Sequence, residues 1–225
     1  MADNESTQDP ILSTMAGPLY ARATFSQLYP DLLHDLKAAE ILEKMKTKHP
    51  EAEWATLQEF VDEMLGLNFL VRARTYDEGV KTFIVKHPQA SVVNIGCGLD
   101  TTFSRVDNGI IKWYNLDLPD AIEYRKELLP DSSRNKCISG SVFDYEWFDE
   151  IEFEPEKGIF FFAGGLFNYF KEKEVINLCR AMTDRFPGGE LIFDAPSKYG
   201  NKIMNRRFKR LGVKGIRFYF GLDNP

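Results

Sequence analysis

The chain has 225 residues, 44% of them hydrophobic, and a formal net charge of −6. That length suits one large domain, or one domain with an extension, and the apolar fraction is enough to bury a real core. The acidic balance argues against a nucleic-acid partner, whose groove needs clustered Lys and Arg.

The N-terminus, MADNESTQDP, is acidic and polar, unlike a signal peptide. No apolar run approaches the ~20 residues that cross a membrane, so no membrane partner is expected. Before Pro88 no segment reads as a strand. Leu33, Leu36, Ile41, Leu42 and Met45 fall at helical spacing and predict a helix over 32–45. Residues 56–85 continue in the same manner as two helices. After Pro88 the pattern turns to strand–helix alternation, which implies an α/β sheet with right-handed crossovers. Strands are predicted over 92–96, 112–118, 136–142, 158–163, 190–194 and 215–220. The clearest helices between them are 119–129 and 171–185. Pro119 fits a first helical turn, and Phe186-Pro187-Gly188-Gly189 reads as a stop before the fifth strand. The expected division is a helical N-terminal cap, 1–88, and a Rossmann-like, doubly wound, mostly parallel core, 89–225, whose final antiparallel edge strand is missing. The one basic cluster, NRRFKR over 205–210, reads as the solvated face of a helix. Cys97, Cys137 and Cys179 show no metal-ligand spacing and suggest no disulfide framework, which favours a reduced, cytoplasmic protein.

The segment richest in chemistry is SVVNIGCGLDTTFSR, residues 91–105. A β-branched run reads as a buried parallel strand. It ends in Gly96 and Gly98, which let the backbone turn sharply and approach a ligand. About twenty residues on, IIKWYNLDL ends a second strand in Asp117, placed to accept hydrogen bonds from a ribose. Strand, glycine turn and later acid together describe a nucleotide site. The dinucleotide fingerprint wants a third glycine three residues after the second, under a pyrophosphate. That position is Thr101, which points to a nucleoside cofactor without a pyrophosphate.

NIGCGLDTTFSR resembles the glycine motif of the leucine carboxyl methyltransferase family, which includes tetracenomycin-type polyketide O-methyltransferases. Further segments match in the same order: YARATF at 20–25 with the later Asp35, RARTYDEGV at 72–80, YNLDLPDAIEYRKELLP, SGSVFDYEW, FFFAGGLFNYF and FPGGELIFD. The resemblance spans roughly residues 20–194. It implies a class I fold, S-adenosyl-L-methionine as cofactor, and methyl transfer to a carboxylate or hydroxyl of a small molecule. It further implies that Gly96, Gly98 and Asp100 line the methionine part of the cofactor. Arg72 would pair with the methionine carboxylate, a planar anion that a guanidinium fork fits. Asp117 would hold the ribose, with Leu118 next to it also in the cofactor site, Ser141 and Val142 would flank the adenine, and Ala163 and Gly164 would pass beneath the sulfonium. Tyr20 and Tyr169 would face the acceptor pocket. Two positions depart from the family. Ser141 stands where an acid is frequent, and Gly164 where many members carry glutamate.

Arg105 is expected to be structural and Cys97 to be packing. His34, His49 and His87 lie outside the motifs and receive no role. No catalytic residue is assigned: no His–Asp or Lys pair falls in a motif, and that favours a carboxylate acceptor, which arrives ionised. Two other readings share parts of the pattern. One is a nicotinamide-dependent oxidoreductase, which Thr101 disfavours. The other is a non-catalytic protein binding the same cofactor.

Overall fold

A computed structural model describes residues 10–48, 51–210 and 216–223. Four helices come first: α1 (Pro10–Leu28), α2 (Leu36–Lys46), α3 (Glu51–Phe60) and α4 (Glu63–Lys86). Helix α1 begins well before the segment in which the sequence shows helical spacing. Its buried residues Met15, Ala16, Leu19, Ala21, Ala23 and Phe25 run around the cylinder, so no single stripe marks it. Helix α2 starts later than predicted, at Leu36, because Asp35 caps it by accepting from Ala38 N at 3.0 Å. The break between α3 and α4 falls where Asp62 caps α4 by accepting from Leu65 N.

Then follow β1 (Ser91–Ile95), α5 (Thr102–Val106), β2 (Lys112–Asp117), α6 (Pro119–Leu128), β3 (Asn135–Ser139), β4 (Ile159–Ala163), α7 (Glu172–Arg185), β5 (Glu190–Phe193) and α8 (Lys198–Arg210). The five strands form one sheet in the order β3-β2-β1-β4-β5, with every pairing parallel. The order reverses between β1 and β4, and ligands of such sheets bind at that point, outside the carboxyl ends of the strands.

Alternation along the strands separates two cores. Val93, Ile95, Tyr114, Leu116 and Phe161 face Val175, Leu178 and Met182 of α7. Val92, Trp113, Phe160 and Phe162 face Tyr76, Val80, Phe83 and Ile84 of α4. The last N-terminal helix is therefore a layer of the sheet domain itself. All five residues of β4 are buried, as a near-continuous apolar run in a doubly covered sheet requires.

Two strand expectations are corrected. The third strand stops at Ser139, so Ser141 and Val142 lie in the turn beyond it. The sixth strand does not form over its described residues, 216–220, and Gly215 lies outside them. The reason is local. Asn205 Oδ1 accepts from Phe218 N, and Asn205 Nδ2 donates to Phe218 O. Asn201 Nδ2 donates to Phe220 O, and Asn168 O accepts from Tyr219 N. With those groups satisfied by asparagines, the run packs over the core through Phe220 instead of pairing with β5. NRRFKR does form the end of α8, with Arg206, Lys209 and Arg210 exposed and Phe208 buried.

Phe161 sits at the centre of the α7-side core, with Trp147 and Phe186 against its ring. Phe161→Ala is expected to lower the unfolding free energy by about 3–5 kcal/mol in urea titration. A loss below ~1 kcal/mol would place that core elsewhere.

Candidate functional site

The site assembles at the carboxyl ends of β1, β2, β4 and β5. After β1 the chain turns through Gly96 and Gly98, with φ of +68° and +43°. A Cβ at Gly96 would lie 2.8 Å from the Leu166 side chain, so both conformation and space demand glycine. The Asp117 carboxylate closes this turn. Its Oδ2 accepts from Gly98 N at 2.7 Å and its Oδ1 from Leu118 N at 2.8 Å. Burial pushes its carboxyl pKa up, against the pull of those two backbone donors. Each oxygen retains a lone pair, so the carboxylate can receive two further donors side by side. Leu118, half exposed, caps α6 just before Pro119.

Asp100 points back into its own turn. It accepts from Asn94 Nδ2, Thr102 N and Thr102 Oγ1, and so secures the start of α5. Arg125, only 3% exposed, donates to Gly98 O at 2.8 Å and Asp100 O at 2.9 Å and reaches Asn115 Oδ1. Asn94 and Asn115 explain themselves here: they are buried amides within β1 and β2, Asn94 bonding Asp100 and Asn115 receiving Arg125.

A second layer of charge ties the loop to the N-terminal helices. Asp35, with a side chain 0% exposed, accepts from Arg22 Nε, Arg105 Nη1 and Thr101 Oγ1. Arg105 also grips Asp77 of α4 with two parallel bonds of 2.7 and 2.8 Å, and Arg22 Nη2 donates to Leu99 O. Two buried guanidiniums thus balance two buried carboxylates. Burial alone would push the Asp35 carboxyl up, yet Arg22 and Arg105 hold it below the ordinary carboxylate value. Arg105 is structural, as the sequence suggested. Cys97 is buried and its thiol pKa is pushed well up by desolvation, which suits packing.

On the other side, β4 ends in Ala163, followed by Gly164 and Gly165. Asp194, just past β5, accepts from Gly165 N at 2.6 Å and from Tyr76 Oη at 2.7 Å. The same hydroxyl lies 3.2 Å from Ala163 O, the longer arm of a shared proton. Burial and the Asp194 charge push the Tyr76 hydroxyl pKa up, so it remains a donor. Arg72 faces Asp194 at 3.4 Å and lies over the Phe69 ring. Tyr169 stands edge-on to Phe218 within the electrostatic reach of Arg72 and Asp194; burial pushes its hydroxyl pKa up. Of the expected residues, the fold gathers Arg72, Ala163, Gly164 and Tyr169 here, and Gly96, Gly98, Asp117 and Leu118 around the first turn. Ser141 accepts from Phe143 N, and Val142 is buried, its carbonyl taken by Trp147. Tyr20 borders the packed clusters among α1, α2 and α4 and makes no described contact with the strand ends. Among the described residues no cluster could hold a metal ion, and no helix is long and apolar enough to cross a membrane.

Sequence reasoning missed Arg22, Asp77, Tyr76, Arg125 and Asp194. Signals for three of them were present. Tyr76 lies one helical turn after Arg72. Arg125 occupies the apolar face formed by Ala121, Ile122 and Leu128. Asp194 ends the fifth strand as Asp117 ends the second.

The leucine carboxyl methyltransferase family matches residues 4–183. The chain belongs to that family. It is 28% identical over 213 residues to the tetracenomycin polyketide synthesis O-methyltransferase TcmP of Streptomyces glaucescens, covering 94% of this chain and 75% of that protein. It is 24% identical to the S-adenosyl-L-methionine-dependent methyltransferase dpfgK of Gibberella zeae, with the same two coverages. Among solved structures, PigF with SAH aligns at a TM-score of 0.46 and 12% identity, over 94% of this chain and 62% of that one. Membership makes the chain an S-adenosyl-L-methionine-dependent methyltransferase of class I fold, and the oxidoreductase and non-catalytic readings are not favoured.

Asp35 supplies a pH prediction. Its depressed folded pKa means that its stabilisation is present above the unfolded value of about 4 and is lost as pH falls through the folded one. Denaturation titrations between pH 7 and 3 should therefore show a shallower acid limb for Asp35→Asn than for the wild type. Asp35→Ala, which strands Arg22 and leaves Arg105 with Asp77 alone, should lower stability at pH 7 by about 3–5 kcal/mol in the same titrations.

Proposed function

We propose that the chain is an O-methyltransferase whose acceptor is a small molecule carrying a carboxylate or hydroxyl. The observation that supports the cofactor site best is the Asp117 carboxylate, fixed by two backbone N–H groups beside the glycine turn with two lone pairs still open. That donor set suits the two hydroxyls of a ribose. When bound, S-adenosyl-L-methionine would supply a methyl group activated by its sulfonium, with S-adenosylhomocysteine as the leaving group.

On this reading Gly96 and Gly98 let the backbone approach the methionine part, and Asp100 shapes the same turn from within. Leu118 and Val142 offer apolar surface to the adenine, with Ser141 at its rim. Arg72 takes the methionine carboxylate, and Ala163 and Gly164 run beneath the sulfonium. Tyr169 and, further out, Tyr20 belong to the acceptor side. The helical segment before Pro88, α1 to α4 among the described residues, covers the cofactor and shapes that pocket. Positioning is most of what such a reaction needs, since alignment alone contributes roughly 7–11 kcal/mol. Among the described residues no histidine stands at the strand ends: His34 is exposed, and His87 stacks on Phe83 beside Gly158, at the opposite end of β4; His49 lies outside the described residues. The absence of such a base favours a carboxylate acceptor, which is ionised at neutral pH.

Calorimetric titration with S-adenosyl-L-methionine, S-adenosylhomocysteine and NAD tests the cofactor. Micromolar binding of the first two and none of NAD is expected. Asp117→Ala should weaken both adenosyl ligands by about a hundredfold or more, as two charge-assisted hydrogen bonds are lost. Unchanged affinity would sink the site assignment. Turnover should then appear on carboxylic acids before phenols.

A further inference from the structure

S-adenosyl-L-methionine carries three charged groups: a carboxylate, an α-ammonium and a sulfonium. Arg72 suits the first. The segment after β4 brings backbone carbonyls but no anion of its own, because position 164 is glycine. An α-ammonium placed near a guanidinium, in a site partly closed from water, needs a negative partner.

Asp194 stands beside that gap. Its two oxygens do different things. Oδ1 accepts from Gly165 N and Tyr76 Oη and so fixes the segment after β4. Oδ2 has one partner among the described residues, Arg72 Nη1 at 3.4 Å. That contact is a single long bond, not the two-pronged grip that Arg105 has on Asp77. The guanidinium in turn uses one of its five N–H donors in a described hydrogen bond. Both side chains retain access to solvent, 19% for Arg72 and 32% for Asp194. A Cβ on Gly165 would lie 2.8 Å from Arg72 Nη1, so the pair flanks the segment on which Gly164 sits. An under-bonded guanidinium beside an under-bonded carboxylate is complementary to an amino acid: carboxylate to Arg72, ammonium to Asp194.

We infer that Asp194 is the anion that receives the α-ammonium of the cofactor, in place of the carboxylate that Gly164 does not supply. With Arg72 it forms a two-sided receptor for the zwitterionic end. This rests on the cofactor site proposed above. Loading the site replaces the long Arg72–Asp194 contact with two shorter charge-assisted ones.

The test is calorimetry on the full chain with S-adenosylhomocysteine and its desamino analogue, in which hydrogen replaces the ammonium. The wild type should prefer S-adenosylhomocysteine by about tenfold or more. Asp194→Asn keeps an oxygen for Gly165 N and Tyr76 Oη but removes the charge. It should lose that preference while binding the desamino analogue as the wild type does. Equal weakening of both ligands would mean that Asp194 only positions the loop, and an intact preference would mean that it does nothing for the ammonium; either overturns the inference. Gly164→Glu in the Asp194→Asn background should restore the preference, since Gly164 does not need a positive φ and a Cβ there meets only the Tyr76 ring edge, at 3.1 Å. A folded double variant without restored preference counts against a shared cation. A wild type that binds neither ligand overturns the cofactor site as well, whereas the other adverse results overturn Asp194 alone.

Discussion

A single carboxylate joins the two halves of this molecule. Asp35 begins α2, receives Arg22 from α1, Arg105 from α5 and the hydroxyl of Thr101 from the glycine loop. Removing any one partner leaves charge buried without compensation, which is where the large cost of such networks arises. The arrangement is stable because it is neutral overall and each charge is hydrogen-bonded. Asp77 completes the balance from α4, and α4 is itself packed on the sheet. The helices before Pro88 are therefore bolted to the nucleotide turn by electrostatics and to the sheet by apolar packing. Neither attachment passes through the cofactor.

This separation has a functional consequence. A methyl transfer needs its donor and acceptor held in line, and the protein contributes mainly alignment. The turn at residues 96–102 is held from outside by Arg125 on its carbonyls, Asp117 on its amide and Arg22 on Leu99 O. Its shape is set before any ligand arrives. The segment after β4 is held in a different manner, by Asp194 and Tyr76, and its charged neighbours Arg72 and Asp194 touch only loosely. On one side the backbone of the turn is bonded throughout and Asp117 keeps lone pairs for neutral hydroxyl donors; on the other, a loosely joined charged pair has bonding capacity in reserve. Ligand charge is expected where capacity is in reserve, at the strand ends nearest the reversal of strand order.

How much of this was legible follows from which interactions are local in sequence. Strand β1, its glycines and Asp117 could be read because strand, turn and acid are contiguous patterns with fixed physical roles. Helix α7 could be read because one of its faces is polar and the other apolar. Helix α1 was not marked by spacing, because it is buried on several sides and has no stripe. The sixth strand was predicted from apolar alternation and did not form, because Asn201, Asn205 and Asn168 satisfy its backbone from outside the sheet. Partners as remote as Arg22 and Leu99, or Arg72 and Asp194, leave no mark in local pattern. The resemblance to a family placed Arg72 and Asp35 in motifs, but not the contacts they make.

Thr101 shows why departures from a motif can be more informative than matches. In a dinucleotide fold a glycine at that position lets the helix close on a pyrophosphate. In this chain the side chain at that position has a task of its own. Its hydroxyl donates to Asp35 and accepts from Arg105, so the same atom links the cofactor turn to the N-terminal helices. A glycine there would remove that bridge. Position 101 thus departs from the dinucleotide pattern and, through the same side chain, adds one link between the cofactor turn and the N-terminal helices.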